Sequence, residues 1–151
     1  MVDDSAARNP FEEGLERNPA NHVALTPLGF LSRAAHVYPE HIAWRHGERR
    51  ATYHEFYSRT RRFASALVSR GIGPGDTVSI MAPNIPAMLE AHYGVPMTGA
   101  VLNALNVRLD APAIAFILDH GEAKILFTDR AFSSVISEAL KLAKCDPLVI
   151  D

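Results

Sequence analysis

Four short apolar runs, at residues 77–82, 100–103, 124–128 and 148–150, are each separated from the next by a stretch whose apolar residues recur at helical spacing. That alternation is the strongest constraint on the fold. Strands joined through helices cannot pair by tight hairpins; they pair in parallel, with right-handed crossovers covering both faces of the sheet. The runs themselves do not alternate polar with apolar, as expected of strands buried on both sides. Phe132, Val135, Ile136, Ala139 and Leu140 make the clearest helical stripe, with Lys141 and Lys144 placed toward its C-terminal end. Asp110 is positioned to cap a helix carrying Ile114, Ile117 and Leu118, which Gly121 ends.

Ahead of the first run the pattern is different. Residues 1–24 form a polar arm with Pro10, Gly14 and Pro19 and no apolar period, and residues 25–151 make up the α/β part. Leu28, Leu31, Ala34 and Ala35 predict a short helix that Pro39 ends. Ile42 and Trp44, a turn at Gly47, and Arg49 to Thr52 predict an antiparallel hairpin at a sheet edge. Thr52 and Glu55 form a capping-box pair opening a helix with Phe56, Thr60, Phe63, Ala64, Leu67 and Val68 inward. Arg59, Arg61 and Arg62 fall on its solvated side. After the strand at 77–82, Asn84 is expected to cap a further helix with Leu89, Tyr93 and Met97 inward, ended by Pro96 before a buried strand at 100–103.

Composition excludes several functions. With 151 residues, 48% apolar and 21% charged, the chain is an ordinary globular domain, and a net charge of -2 gives no field for nucleic acid. The longest segment free of formal charge, residues 91–107, contains His92, Pro96, Gly99, Asn103 and Asn106 and is a poor membrane span. A single cysteine, Cys145, excludes an intramolecular disulfide and suits a reducing compartment, so a cytoplasmic location is expected. The histidines show no metal-ligand spacing, and no carboxylate pair stands out. Gly71, Gly73 and Gly75 lie after a helix and before a strand, the reverse of the order in which a phosphate meets a helix N-terminus. Asn103, Asn106 and Arg108 sit where a strand gives way to a loop at the carboxyl edge of the sheet, where ligands of such folds collect. Their alternative use is bonding of the two asparagines to loop backbone and pairing of Arg108 with a carboxylate.

Taken in order, Leu25-Thr26-Pro27-Leu28, Phe30-Leu31, Tyr38-Pro39, Thr52-Tyr53-His54-Glu55, Gly75-Asp76-Thr77-Val78, Ala82-Pro83-Asn84, Gly94-Val95-Pro96-Met97, Gly99-Ala100-Val101 and Asn106-Val107-Arg108-Leu109 resemble the AMP-forming acyl-CoA synthetase family. The likeness runs from Leu25 to the end and rests on the order and spacing of many short segments. It is nearest to the branch acting on medium- and long-chain fatty acids and related carboxylates. The resemblance implies a doubly wound, mostly parallel α/β sheet forming the first layer of a large N-terminal domain. It also implies ATP, Mg2+ and coenzyme A as cofactors and a small carboxylate as substrate, which is activated to acyl-AMP and passed to the coenzyme A thiol. Asn106 and Arg108 match the family pattern and are the candidate cofactor-binding residues.

The same resemblance places the Ser/Thr-Gly-rich phosphate loop and the catalytic lysine of the family beyond the equivalent of Asp151. The lysines of this sequence are 124, 141 and 144, each inside the strand and helix pattern. The expectation is therefore a fragment, inactive alone, whose principal partner is the remaining C-terminal part of the same chain. No nucleic-acid partner or transmembrane segment is expected, and a homodimer is allowed. Peptide-synthetase adenylation and luciferase-like enzymes share the scaffold, and a noncatalytic flavodoxin-like binding module is an alternative of another class.

Overall fold

The computed structural model describes Gly14 and residues 16–151. Of the expected arm, residues 1–13 and 15 lie outside the described residues.

The first helix, α1 (Pro27–Val37), buries Leu31 and Ala35 and leaves Phe30 and Val37 exposed. Beyond it, His54 N–H bonds Pro39 O at 3.1 Å and Tyr53 N–H bonds His41 O at 2.9 Å, so the chain leaving α1 is tied to the start of the next helix. Between those anchors, β1 (Ile42–His46) and β2 (Arg49–Thr52) pair antiparallel around Gly47, whose φ of 58° is the left-handed geometry a tight turn demands. This hairpin is not the edge of the larger sheet. It is a separate two-stranded sheet against α2, because Ala51 is its buried anchor and neither strand meets the four-stranded sheet.

At the head of α2 (Tyr53–Val68) the expected capping box is complete: Glu55 N–H donates to Thr52 Oγ1, and Thr52 N–H donates to the Glu55 carboxylate. Phe56, Thr60, Ala64 and Leu67 are buried, but Val68 is exposed, one position past the stripe. Gly71, with φ of 80°, turns the chain back, and Ile72 N–H bonds Leu67 O at 3.1 Å, bringing both side chains into one core cluster.

The remaining elements are β3 (Thr77–Met81), α3 (Pro86–Gly94), β4 (Val101–Ala104), α4 (Ala111–His120), β5 (Ala123–Thr128), α5 (Ser133–Leu142) and β6 (Leu148–Ile150). Their strands form a parallel sheet in the order β4-β3-β5-β6. Val78, Ile80 and Ile125 pack beneath α2 and α3, whereas Met81 and Leu126 pack beneath α4 and α5, so helices cover both faces. Burying each large apolar side chain stabilises the fold by about 1.5–3 kcal/mol. Leu67, Ile114, Leu118 and Leu126 are all fully buried.

Three local expectations fail for identifiable reasons. Asn84 caps nothing: α3 starts at Pro86 behind Ile85, and proline at the first position supplies the helical φ without a side-chain cap. The inward face of α3 is Pro86, Glu90, Ala91 and Gly94, and Leu89 is outward. Finally, β4 is an edge strand and only half-buried, with Val101 56% exposed. At the other edge Leu148 is 51% exposed.

Candidate functional site

Sheet order fixes where a ligand can enter. The chain leaves β3 through α3 to reach β4 on one side, then crosses by α4 to β5 on the other side of β3. The carboxyl ends of β3 and β5 are therefore a topological switch point, where crossovers diverge to opposite faces and leave a crevice. A cavity lies there, lined by Ile80, Ala82, Phe127, Thr128, Asp129 and Glu90 among others. Its walls are mainly apolar and its charged groups mainly acidic. Asp129 Oδ1 is already engaged by Ala131 N–H at 2.9 Å, and Asp129 N–H bonds Met81 O at 3.3 Å across the crevice.

Glu90 is the residue that sequence reasoning missed. Although only 8% exposed, it is charged, and Arg59 reaches it from α2 with Nε at 2.5 Å and Nη2 at 3.3 Å. That hydrogen bond holds the Arg59 guanidinium above its ordinary pKa. Arg59 is thus no purely solvated residue. A signal was present: Pro86, Glu90 and Gly94 recur every four residues, so a helix burying the two small residues must also bury the carboxylate between them.

Positive charge is sparse at this edge. Asn106 Oδ1 accepts Arg108 N–H at 3.0 Å, and Leu109 N–H bonds Asn106 O at 3.2 Å, so the asparagine shapes the turn after β4. Arg108 is exposed, and it has no ion-pair partner among the described residues. Asn103 lies inside β4 rather than in the loop, its Nδ2 donating to the buried Ser79 Oγ at 3.1 Å. No cluster of three His, Cys, Asp or Glu that could hold a metal occurs among the described residues.

The glycine-rich turn ahead of β3 is occupied by the protein's own anion. Gly73 N–H donates to Asp76 Oδ2 at 2.9 Å, while Lys124 Nζ lies 2.5 Å from Asp76 Oδ1. The Lys124 contact, followed by the Gly73 amide, holds the Asp76 carboxyl below the usual carboxylate range. At that same amino end of the sheet, Asp119 Oδ1 accepts from Lys144 N–H and Cys145 N–H at 2.8 and 2.9 Å. Burial and the adjacent Asp119 push the Cys145 thiol up, away from the reactive thiolate. No helix among the described residues is long and apolar enough to cross a membrane.

A family model described as AMP-binding enzyme matches residues 31–151. Among curated proteins, the chain is 52% identical over 130 residues to the peroxisomal acetate/butyrate–CoA ligase AAE7 of Arabidopsis thaliana, covering 86% of this chain and 23% of that protein. It is 50% identical, at the same coverage, to the acetate–CoA ligase CCL3 of Humulus lupulus. The peroxisomal benzoate–CoA ligase of Arabidopsis thaliana is 50% identical over 123 residues, 82% of this chain and 21% of that protein. The chain thus spans less than a quarter of the length of these relatives. Among solved structures, the N-terminal domain of FACL13 from Mycobacterium tuberculosis superposes with a TM-score of 0.73 at 31% identity, over 82% of this chain and 32% of that one. The o-succinylbenzoate CoA synthetase of Bacillus subtilis, in complex with its acyl-adenylate intermediate, superposes with a TM-score of 0.69 at 27% identity, over 81% and 30%.

Proposed function

The chain belongs to the AMP-binding enzyme family, and we propose that it forms the first α/β part of an acid–thiol ligase that joins a small carboxylic acid to coenzyme A through an acyl-adenylate. The observation that carries this reading is the 52% identity over 130 residues to a CoA ligase, on a fold shared with acyl-CoA synthetases at TM-scores near 0.7. Because the relatives named above are CoA ligases by name, the acceptor we propose is coenzyme A rather than a carrier protein.

Chemically, a carboxylate is a poor acyl donor until one oxygen becomes part of a phosphate leaving group. Attack of the carboxylate oxygen on the α-phosphate of ATP breaks the α–β anhydride bond and expels pyrophosphate; the coenzyme A thiol then attacks the acyl carbon of the acyl-adenylate, loses its proton and displaces AMP. Positive charge must meet the developing charge of the phosphoryl transfer. The described residues give little of it at the carboxyl edge, where the cavity is lined by Glu90, Asp129 and Asp151. Magnesium would enter with ATP, and no step is assigned to it in this segment.

The role we assign to these residues is therefore structural support plus one contact. The α2–sheet–α4 sandwich supports the crevice, Asn106 fixes the turn after β4, and Arg108, without an ion-pair partner among the described residues, presents a guanidinium suited to the phosphates of coenzyme A. The relatives act, by name, on acetate, butyrate and benzoate, so short-chain and aromatic acids join the medium- and long-chain fatty acids as candidate substrates. A cytoplasmic location rests on the single cysteine alone, and two of the three relatives named above are peroxisomal.

The test is thioester formation by the gene's complete product, given ATP, magnesium, coenzyme A and a panel of acids from acetate to palmitate with benzoate included. AMP release and thioester formation with at least one acid support the reading. Adenylation without transfer to coenzyme A would sink the acceptor assignment, and no adenylation with any acid would sink the whole.

A further inference from the structure

The chain as a whole carries a net charge of -2, yet residues 33–50 set Arg33, Arg45, Arg49 and Arg50 against only Glu40 and Glu48. The hairpin decides where that charge points. Trp44 stands opposite Ala51, which is buried against α2, and the next pair along the ladder is Arg45 opposite Arg50. Successive side chains alternate between the faces of a strand, so the two arginines share the outer face. Both are exposed, and neither forms an ion pair among the described residues. Like charges directly across a strand pair destabilise it, and an external anion would relieve that opposition.

An independent observation comes from α1. Its core side is Leu31 and Ala35, whereas Phe30, Arg33 and Val37 are spaced three and four apart and share the outward side, all exposed. Tyr38, also exposed, follows directly; its ring stacks on His41 at 5.1 Å, and His41 N–H bonds Tyr38 O at 3.1 Å. Exposed Ile42 then opens β1. An apolar stripe set with an arginine therefore runs from α1 into the base of the basic hairpin.

We propose that this surface docks on an anionic lipid membrane, with Phe30, Val37 and Tyr38 at the boundary of headgroups and acyl chains and Arg33, Arg45 and Arg50 on lipid phosphates. Charge complementarity selects an anionic partner. The large apolar side chains beside the arginines select a lipid, since a nucleic acid or free phosphate offers them no apolar phase, and a tyrosine suits a boundary that is wet on one side. The contact is peripheral and does not depend on the ligase reading.

The experiment is co-sedimentation of the 151-residue chain with vesicles of phosphatidylcholine alone and of phosphatidylcholine mixed with phosphatidylglycerol. Partition to the anionic vesicles is expected to exceed that to the neutral ones by about thirtyfold, and to fall as salt is raised. Replacing both hairpin arginines, Arg45→Gln with Arg50→Gln, should weaken binding to the anionic vesicles about thirtyfold. Phe30→Ser with Val37→Ser should weaken it at least about tenfold, although no charge changes. All four side chains are exposed, and circular dichroism checks the fold of each double variant. A short DNA duplex at equal phosphate concentration should not displace the chain from the vesicles. Equal partition to neutral and anionic vesicles, full binding by either folded double variant, or displacement by the duplex would overturn the proposal. If a variant fails to fold, the two vesicle types, the salt series and the duplex decide on the unaltered chain.

Discussion

Arg59 on α2 and Glu90 on α3 are joined by two hydrogen bonds across 31 residues of sequence, and the two members are unequally buried: 45% of the arginine side chain is exposed against 11% of the glutamate. The asymmetry decides what each substitution does. Arg59→Ala strands a carboxylate in the interior and should cost about 2 kcal/mol, below the figure for a fully buried pair because water reaches the arginine. Glu90→Gln leaves a guanidinium that can turn to solvent and should cost about half as much. Urea unfolding midpoints of the two variants check the order; the reverse order would contradict it.

The acid limb of stability should depend on Asp76. Its folded pKa is depressed, by the Lys124 contact first and the Gly73 amide second. A depressed carboxylate contributes stability in full above its unfolded pKa, about 3.9, and that contribution is lost as pH falls through the lower folded value. Thermal melts from pH 6 down to pH 2 should therefore fall less steeply for Asp76→Asn than for the parent chain. Parallel curves would exclude the linkage.

Gly94 is a test of packing. A Cβ built there overlaps the Phe63 ring and lies 3.3 Å from Thr60 O, so α3 can approach α2 only without a side chain. Gly94→Ala should destabilise by about 1–3 kcal/mol through overpacking. Gly73→Ala meets nothing within 4 Å and should change stability little. Comparable losses in both variants, measured by calorimetry, would remove packing as the cause.

The 151-residue polypeptide by itself should give no ATP–pyrophosphate exchange with any carboxylate. Gly73 of the turn engages Asp76, and the charged groups lining the switch-point cavity are acidic. Measurable exchange above a heat-treated control would overturn this expectation.

In the gene's complete product, Arg108→Ala should raise the KM for coenzyme A about tenfold, the loss of one charge-assisted contact, and leave pyrophosphate exchange unchanged. Equal losses in both half-reactions would instead make Arg108 part of the scaffold.

What was legible in the sequence was local. Thr52 with Glu55, Asp110 as a helix cap and the stripe from Val135 to Leu140 each involve partners within a few residues and appear as read, whereas Phe132 stands just ahead of α5. The alternation of strands and helices likewise sufficed for a parallel sheet, since the crossover length leaves no other pairing. What was not legible depends on distant neighbours. The arginine that meets Glu90 comes from another helix, Val101 is exposed because no described strand pairs beyond β4, and the hairpin's separation from the main sheet is decided by Ala51 against α2. At the candidate site, Asn106 could be placed at an edge from sequence, whereas the bond that commits it to the Arg108 amide required coordinates.

The turn ahead of β3 has a longer consequence. Asp76 draws one amide of that turn, Gly73 N–H, and the Lys124 ammonium onto a single carboxylate. The turn that leads into β3 is therefore latched through Lys124 to the start of β5, so the amino ends of two neighbouring strands are tied by a side chain as well as by their own backbone ladder.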